Sequence, residues 1–347
     1  MQLKEKIRAH AISLGFNGIG FTPVKIDVEK KYVTEWLDKG FHGSMQYMEK
    51  NYEKLLDPKK IAPWAKTIIS LRLNYFNFND DPLKNLNDDE MAYIARYALG
   101  RDYHRVFKSK LKKLSNYILS LSKNSAFKTA VDSTPILEKT FAEKAGLGWI
   151  GKNTNLINKH AGSFFLIGEI ISNLEIEQDK KATNHCGSCM KCIDICPTNA
   201  FDGPYSLDAR KCISYLTIEN KGEIPKQYRS KLGNRIFGCD DCQIFCPWNK
   251  FAEFNKEDDF RPRHNLDGSK MTELFLWDYE TWSRNTEGSA IRRAGYVGWL
   301  RNLAIGIGNS KKDKQLKLSI LDRQKGHSEL LDEHIHWSQV QLSETKE

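Results

Sequence analysis

The most reactive side chains of this 347-residue chain are eight cysteines, all lying between Cys186 and Cys246. The first four read Cys186-Gly-Ser-Cys189-Met-Lys-Cys192-Ile-Asp-Ile-Cys196-Pro197, the C-x2-C-x2-C-x3-C-P run with which bacterial two-cluster ferredoxins bind iron–sulfur cubanes. The second set reads Cys239-Asp-Asp-Cys242-Gln-Ile-Phe-Cys246-Pro247, with Cys212 standing well upstream in place of the usual first cysteine. In such runs three close thiolates wrap one corner of a cubane, and the fourth crosses to the other cluster. Cys186, Cys189, Cys192 and Cys246 are therefore assigned to one 4Fe-4S cluster, and Cys196, Cys212, Cys239 and Cys242 to the other. Cys-x2-Cys pairs also bind structural zinc, and eight thiolates would make two zinc sites. Zinc, however, does not call for a Cys-x3-Cys-Pro ending, still less for two. Disulfides fit less well, because nothing at the N-terminus reads as a signal peptide and a reducing cytosol keeps thiols free.

Around this region the apolar periodicity marks the elements that must carry it. Leu3, Ile7, Ala11 and Leu14 recur at helical spacing before Gly15, which predicts a helix over 3–14. Gly18 to Phe21 reads as a short strand and Val33 to Leu37 as a helix. In Thr67 to Tyr75, Ile69, Leu71, Leu73 and Tyr75 alternate with Ser70, Arg72 and Asn74, the pattern of a strand. Asn77 to Asp89, rich in Asn and Asp, reads as a surface loop. Phe107, Leu111, Leu114, Ile118 and Leu121 form one stripe of a long helix. Its other face carries Arg105, Lys108, Lys110, Lys112 and Lys113, read as a solvated face rather than a nucleic-acid surface. A strand from Phe127 to Val131 ends at Asp132; a helix over Pro135 to Ala145 and strands over Asn155 to Asn158 and Phe164 to Ser172 follow. Layering of this kind is α/β. Gly146-x-Gly148-x-x-Gly151 imitates a dinucleotide fingerprint, but it follows a helix and precedes a strand, the reverse of what pyrophosphate binding needs. Past the cysteines, Asn255 to Lys270 is polar and irregular. Ile291, Ala294, Val297, Leu300, Ala304 and Ile307 then mark a helix bearing Arg292, Arg293 and Arg301; further helices cover Leu316 to Asp322 and Leu330 to Trp337, a helical-repeat pattern.

Composition narrows the partners. Lys and Arg exceed Asp and Glu by 53 to 44, a net charge of +9, which favours a polyanionic partner over an acidic one. No apolar run approaches a membrane span. A cytoplasmic, soluble chain is expected.

Several segments together make the chain resemble the epoxyqueuosine reductases over nearly its whole length. They are Tyr97-Ala-Leu-Gly-Arg-Asp-Tyr-His104, Val131-Asp132-Ser-Thr-Pro-Ile-Leu-Glu138, Ala145-Gly-Leu-Gly-Trp-Ile-Gly-Lys-Asn153, Cys212-Ile-Ser-Tyr-Leu-Thr-Ile218, Asn234-Arg-Ile-Phe-Gly-Cys239 and Gly288-Ser-Ala-Ile-Arg-Arg293. The resemblance implies an α/β cobalamin-binding catalytic domain over 1–175, a ferredoxin-like two-cluster domain over 176–255 and a helical, HEAT-like tRNA-contacting region over 256–347. It implies removal of the epoxide oxygen of epoxyqueuosine at the tRNA wobble position, with two 4Fe-4S clusters and a cobalamin whose lower base is displaced. The D-x-H-x-x-G motif of histidine ligation is missing, and Asp332-x-His334-x-x-Trp337 lacks its glycine.

The chemistry fits the residues. Deoxygenating an epoxide to an alkene consumes two electrons and protonates the departing oxygen, so it needs a conduit, a strongly reducing centre and an acid. Clusters pass single electrons, and cobalamin holds a low-valent nucleophilic metal. Asp132, in the family's Val-Asp motif at a strand end, is the expected proton donor. Burial beside a corrin is expected to raise its pKa; its structural alternative is to cap the helix starting near Pro135. Arg96, Tyr97, Tyr103, Asn153, Asn155 and Ser163 are the expected cobalamin contacts. Lys211, Arg229, Lys231, Arg235, Arg292, Arg293 and Arg301 are expected to position tRNA phosphates, with the wobble base flipped into the cobalamin pocket. An external donor of flavodoxin or ferredoxin type, a monomeric state and no membrane contact complete the expectation. The rivals are a reductive dehalogenase-like cobalamin enzyme acting on a small molecule, a ferredoxin-type electron carrier, and a zinc-stabilised RNA-binding module.

Overall fold

A computed structural model describes residues 2–26, 29–76 and 81–344. Its strands, in chain order, are β1 (Gly18–Pro23), β2 (Thr67–Asn74), β3 (Tyr93–Ile94), β4 (Phe127–Ala130), β5 (Trp149–Ile150), β6 (Leu156–Ile157), β7 (Phe165–Ser172) and β8 (Arg235–Phe237). Four of them form a sheet in the order β1-β2-β7-β4, antiparallel at every pairing. The mixed α/β content is as the sequence predicts; the antiparallel pairing is not visible in it. The alternation in β2 does not mark a wet face either, because all eight of its residues are buried. Helices cover both sides. Leu3–Ser13 and Tyr103–Leu121 set Ile7, Ala11, Phe107, Leu111 and Leu114 against Ile69, Leu71, Leu73 and Ile170. On the other face the short Glu138–Lys144 helix lays Phe141 over Ile68, Ala130 and Ile171.

A second core crosses the sequential divisions at 175 and 255. β3 pairs in parallel with β8, and Ala92, Ile94, Ala98 and Leu99 pack with Phe237, Trp299, Leu300, Leu303, Leu331 and Ile335. Each such buried leucine or isoleucine stabilises the fold by about 1.5–3 kcal/mol. The single helix expected over Ile291 to Ile307 is broken at Gly295, whose φ of +76° no ordinary helical residue adopts. A 3-10 turn, Ala290–Ala294, precedes it, and the helix Tyr296–Asn309 follows. That helix lies against Glu329–Glu344 so closely that a Cβ on Gly308 would stand 2.7 Å from the Cβ of Ser338. Of the expected Asn77 to Asp89 loop, residues 77–80 lie outside the described residues, and Pro82–Leu86 is a helix capped by Asp81. Among the described residues no helix is long and apolar enough to cross a membrane.

Candidate functional site

None of the eight cysteines is in a disulfide, and they gather in two sets. Cys192 has Cys246, Cys186 and Cys189 as its thiol neighbours; Cys242 has Cys212 and Cys196, and Cys212 also neighbours Cys239. The crossing of Cys196 and Cys246 between sets is the one read from the sequence. Two short helices, Lys191–Asp194 and Asp241–Ile244, pack on each other and carry the two motifs.

The glycine-rich segment braces both cluster loops. Lys152 Nζ donates to the carbonyls of Gly187 (2.7 Å) and Cys189 (2.9 Å), while Asn153 Nδ2 donates to the carbonyl of Cys242 at 2.9 Å. Trp149 Nε1 points at Cys186 Sγ from 3.4 Å, and Asn155 Nδ2 at Cys242 Sγ from 3.8 Å. Donors aimed at cluster sulfurs raise the reduction potential. Gly148 serves the tight β5–β6 ribbon, since a Cβ there would lie 2.3 Å from the Ile157 carbonyl oxygen. The two sets face different ways. Cys189 is exposed, whereas Cys242 lies close enough to Lys139 for its charge to act on that ammonium.

Lys139 belongs to the acid site. Asp132 follows β4 with φ +51°, a left-handed conformation that Asp tolerates better than most residues. Its N–H donates to Glu138 Oε1 at 2.5 Å, and its Oδ2 stands 3.2 Å from His104 Nε2. His104 Nδ1 is 2.7 Å from Oδ1 of Asp102, the residue that caps the Tyr103–Leu121 helix by accepting from the His104 N–H. Burial opposes a charge on His104, but its hydrogen bonds to Asp102 and Asp132, with their charges, push its pKa up to about 9. The hydrogen bond from His104 holds Asp132 below the usual carboxylate range, against the effect of burial. The expected rise at Asp132 is therefore not found, because the sequence reading left out the imidazolium beside it. At neutral pH the shared proton sits on His104. Nor does Asp132 cap the next helix, which begins six residues later behind Leu137.

Asp132 is 64% exposed, and Lys139 is exposed too, yet burial lowers the pKa of Lys139. Both side chains reach solvent while neighbouring groups partly desolvate them. The rings of Tyr97 and Tyr103, 5.9 Å apart and edge to face, stand within the field of Asp132; burial first and then Asp132 raise both phenols. Tyr47 and Arg293 lie within the field of Asp132 from other elements.

The remaining expected contacts are sorted by burial. Arg96 is buried and grips Asp267 through two bonds of 2.5 and 2.6 Å, so its guanidinium is a structural clasp. Asn153 and Asn155 hold the cluster loop, and Ser163 is buried against Gln243 and Asn249. Arg229 and Arg301 are 0% and 1% exposed. Arg229 binds Glu223, Glu333 and the Ile224 carbonyl. Arg301 binds the carbonyls of Leu216, Asn220 and Gly222. Neither reaches a phosphate, because the sign of a charge in sequence does not reveal an internal partner. Arg235 braces Asp241 beside the cysteines. Lys211, Lys231, Arg292 and Arg293 stay on the surface, Arg293 paired with Glu219 at 2.9 Å. His104, Glu138 and Lys139 had no assigned role; the Asp102 cap two residues before His104 was the one local signal.

Two crossed thiol sets near an acid pair define an iron–sulfur redox enzyme on a mixed α/β scaffold. Residues 185–249 match the family model for a 4Fe-4S double cluster binding domain, and residues 56–133 match that for epoxyqueuosine reductase QueG, DUF1730. The epoxyqueuosine reductase of Pseudomonas aeruginosa is 45% identical over 99% of this chain and 96% of its own, and that of Escherichia coli 43% over 99% and 91%. A solved epoxyqueuosine reductase with a tRNA-Tyr epoxyqueuosine-modified stem loop superposes with a TM-score of 0.91 at 29% identity, covering 98% of this chain and 90% of that one. The Streptococcus thermophilus enzyme gives 0.89 at 30%, covering 100% and 92%. The chain belongs to the epoxyqueuosine reductase family.

Proposed function

We propose that this chain reduces epoxyqueuosine to queuosine at the wobble position of tRNA, with cobalamin as cofactor and its two 4Fe-4S clusters as the electron supply. The observation that carries this reading is that Cys242 of one cluster set and Asp132, which pairs with His104, both lie close enough to Lys139 for their charges to act on it. Removing the epoxide oxygen as water takes two electrons and two protons. The set with the exposed Cys189 would be the one reached by a flavodoxin- or ferredoxin-type donor, the Cys242 set would supply electrons on the side of Lys139, and His104 Nε2 holds a proton for Asp132.

The site suits a flat macrocycle, since Tyr97 and Tyr103 set aromatic rings edge to face within the field of Asp132 and Asp132 itself stays exposed. Neither His104 nor His334 would be available as a metal ligand. Both nitrogens of His104 face carboxylates, and His334 is buried in the helical layer against Leu330 and Ile224. When bound, cobalamin supplies the strongly reducing low-valent metal that one-electron clusters lack. The C-terminal helices act as a HEAT-like layer, and Lys211, Lys231, Arg292 and Arg293 position phosphates. The protein works as a cytoplasmic monomer.

The test is binding by cluster-loaded protein, with and without cobalamin. An epoxyqueuosine-bearing stem loop is expected to bind about tenfold or more tighter than the same loop carrying guanine, and both to weaken steeply with salt. Equal affinity for the two loops with cobalamin present would contradict the reading.

A further inference from the structure

Beneath the Asp132 loop lies a second acidic site. Glu169 sits in β7 opposite Ser70 of β2 and Ala130 of β4, on the face covered by the Glu138–Lys144 helix. It is 0% exposed, and neither of its carboxyl oxygens meets an N–H or O–H donor among the described residues; the equally buried Ser70 hydroxyl is likewise without a partner. Its surroundings on that face are Ile68, Ala130, Phe141 and Ile171. One acidic group lies close enough for its charge to act on it, the Glu138 carboxyl. Two carboxylates cannot face each other in apolar packing without a counterion; such a contact requires a proton between them. Glu138 is also the acceptor of the Asp132 N–H, at 2.5 Å, where the backbone is held at φ +51°.

We infer that Glu138 and Glu169 form a proton-sharing carboxyl pair that anchors the Asp132 backbone, making Glu169 a positioning residue for proton delivery at Asp132. The inference rests on the reaction proposed above for Asp132, though the pair itself does not. A proton on Glu169 donates to Glu138, and Glu138 Oε1 fixes the Asp132 amide, so the loop is tied to the centre of the sheet. The groups that bear on the pair are Asp132 on the loop, His104 on the Tyr103–Leu121 helix and Ser70 on β2. Lys139 follows on the same helix but spends its ammonium on the Thr154 carbonyl at 2.8 Å. Burial, then the charge of Asp132, pushes Glu138 up to about 8, and burial and Glu138 push Glu169 well above the usual range. Raised carboxyl pKa values mean that the folded chain carries extra protons. Stability therefore declines as pH rises from the ordinary carboxylate range toward about 8.

Three readings test this. Infrared titration of the protein in heavy water should show a protonated-carboxyl stretch at neutral pH that Glu169→Gln removes. Glu169→Gln, which keeps a donor but cannot ionise, should raise Tm at pH 8 by more than at pH 5. Glu138→Ala should speed hydrogen exchange at the Asp132 amide by about tenfold or more and lower kcat by about 10- to 100-fold with KM for tRNA little changed. Glu138→Gln, which keeps the acceptor, should rescue both and guards against a variant that merely misfolds. No protonated-carboxyl band, or unchanged Asp132 exchange in Glu138→Ala, would overturn the pair as an anchor. A wild-type protein that shows the band and slow exchange but converts no epoxyqueuosine would instead overturn its role in this reaction.

Discussion

Replacing Asp132 with Asn is expected to lower kcat on epoxyqueuosine-bearing tRNA by about 100- to 10,000-fold, with iron content and tRNA affinity unchanged. The variant keeps the size and the backbone N–H to Glu138 but ends the exchange of a proton with His104 Nε2, 3.2 Å away. Because His104 is raised to about 9 by Asp102 and Asp132, the pair as a whole stays loaded across neutral pH. Activity should then fall as pH rises through about 9, when His104 deprotonates. His104→Gln removes the reservoir and lets Asp132 return toward its ordinary range near 4, so the alkaline limb should move down by several pH units. A pH–rate profile of kcat for wild type and His104→Gln checks this. The same titration has a stability signature of fixed sign. The contribution of His104 is full below about 6.5, its unfolded value, and is lost as pH rises through about 9. An Asp132→Asn enzyme with wild-type kcat would remove the aspartate from the chemistry.

The second large effect belongs to Cys242. Cys242→Ala should halve the iron content, to about four atoms per chain, and reduce turnover to background while the other cluster remains. Its set is the one whose thiol acts on Lys139 near Asp132, and its loop is tied to the glycine-rich segment by Asn153 at 2.9 Å. Iron analysis with electron paramagnetic resonance of the reduced variant should show one cluster signal, and tRNA binding should persist. Turnover at the wild-type rate with only the Cys189 set filled would mean that electrons bypass Cys242.

What could be read in advance divides by the range of the signal. Thiol spacing is local, so the two crossed cysteine sets were legible, including the displaced Cys212. Helices with a long apolar stripe, such as Tyr103–Leu121, were legible for the same reason. The sheet was less so. Ser70, Arg72 and Asn74 mark a strand by alternating with apolar residues, but the whole of β2 is buried, and no pattern within one strand reports what covers it. Partners distant in sequence were invisible. Arg229 looks like any surface arginine until Glu333 arrives from more than a hundred residues away, and Glu169 is an ordinary strand glutamate until Glu138 closes over it. The Asp132 assignment came from the motif it stands in, whereas its ionisation depended on His104, which only the folded chain brings to it.

The most direct measurement is an anaerobic assay of cluster-loaded protein on epoxyqueuosine-bearing tRNA, with and without cobalamin and reductant, read by the mass of the digested nucleoside. Loss of one oxygen, dependent on both additions, is the predicted result. Intact clusters and bound cobalamin with no change in mass, or dehalogenation of a small aryl halide in its place, would contradict it.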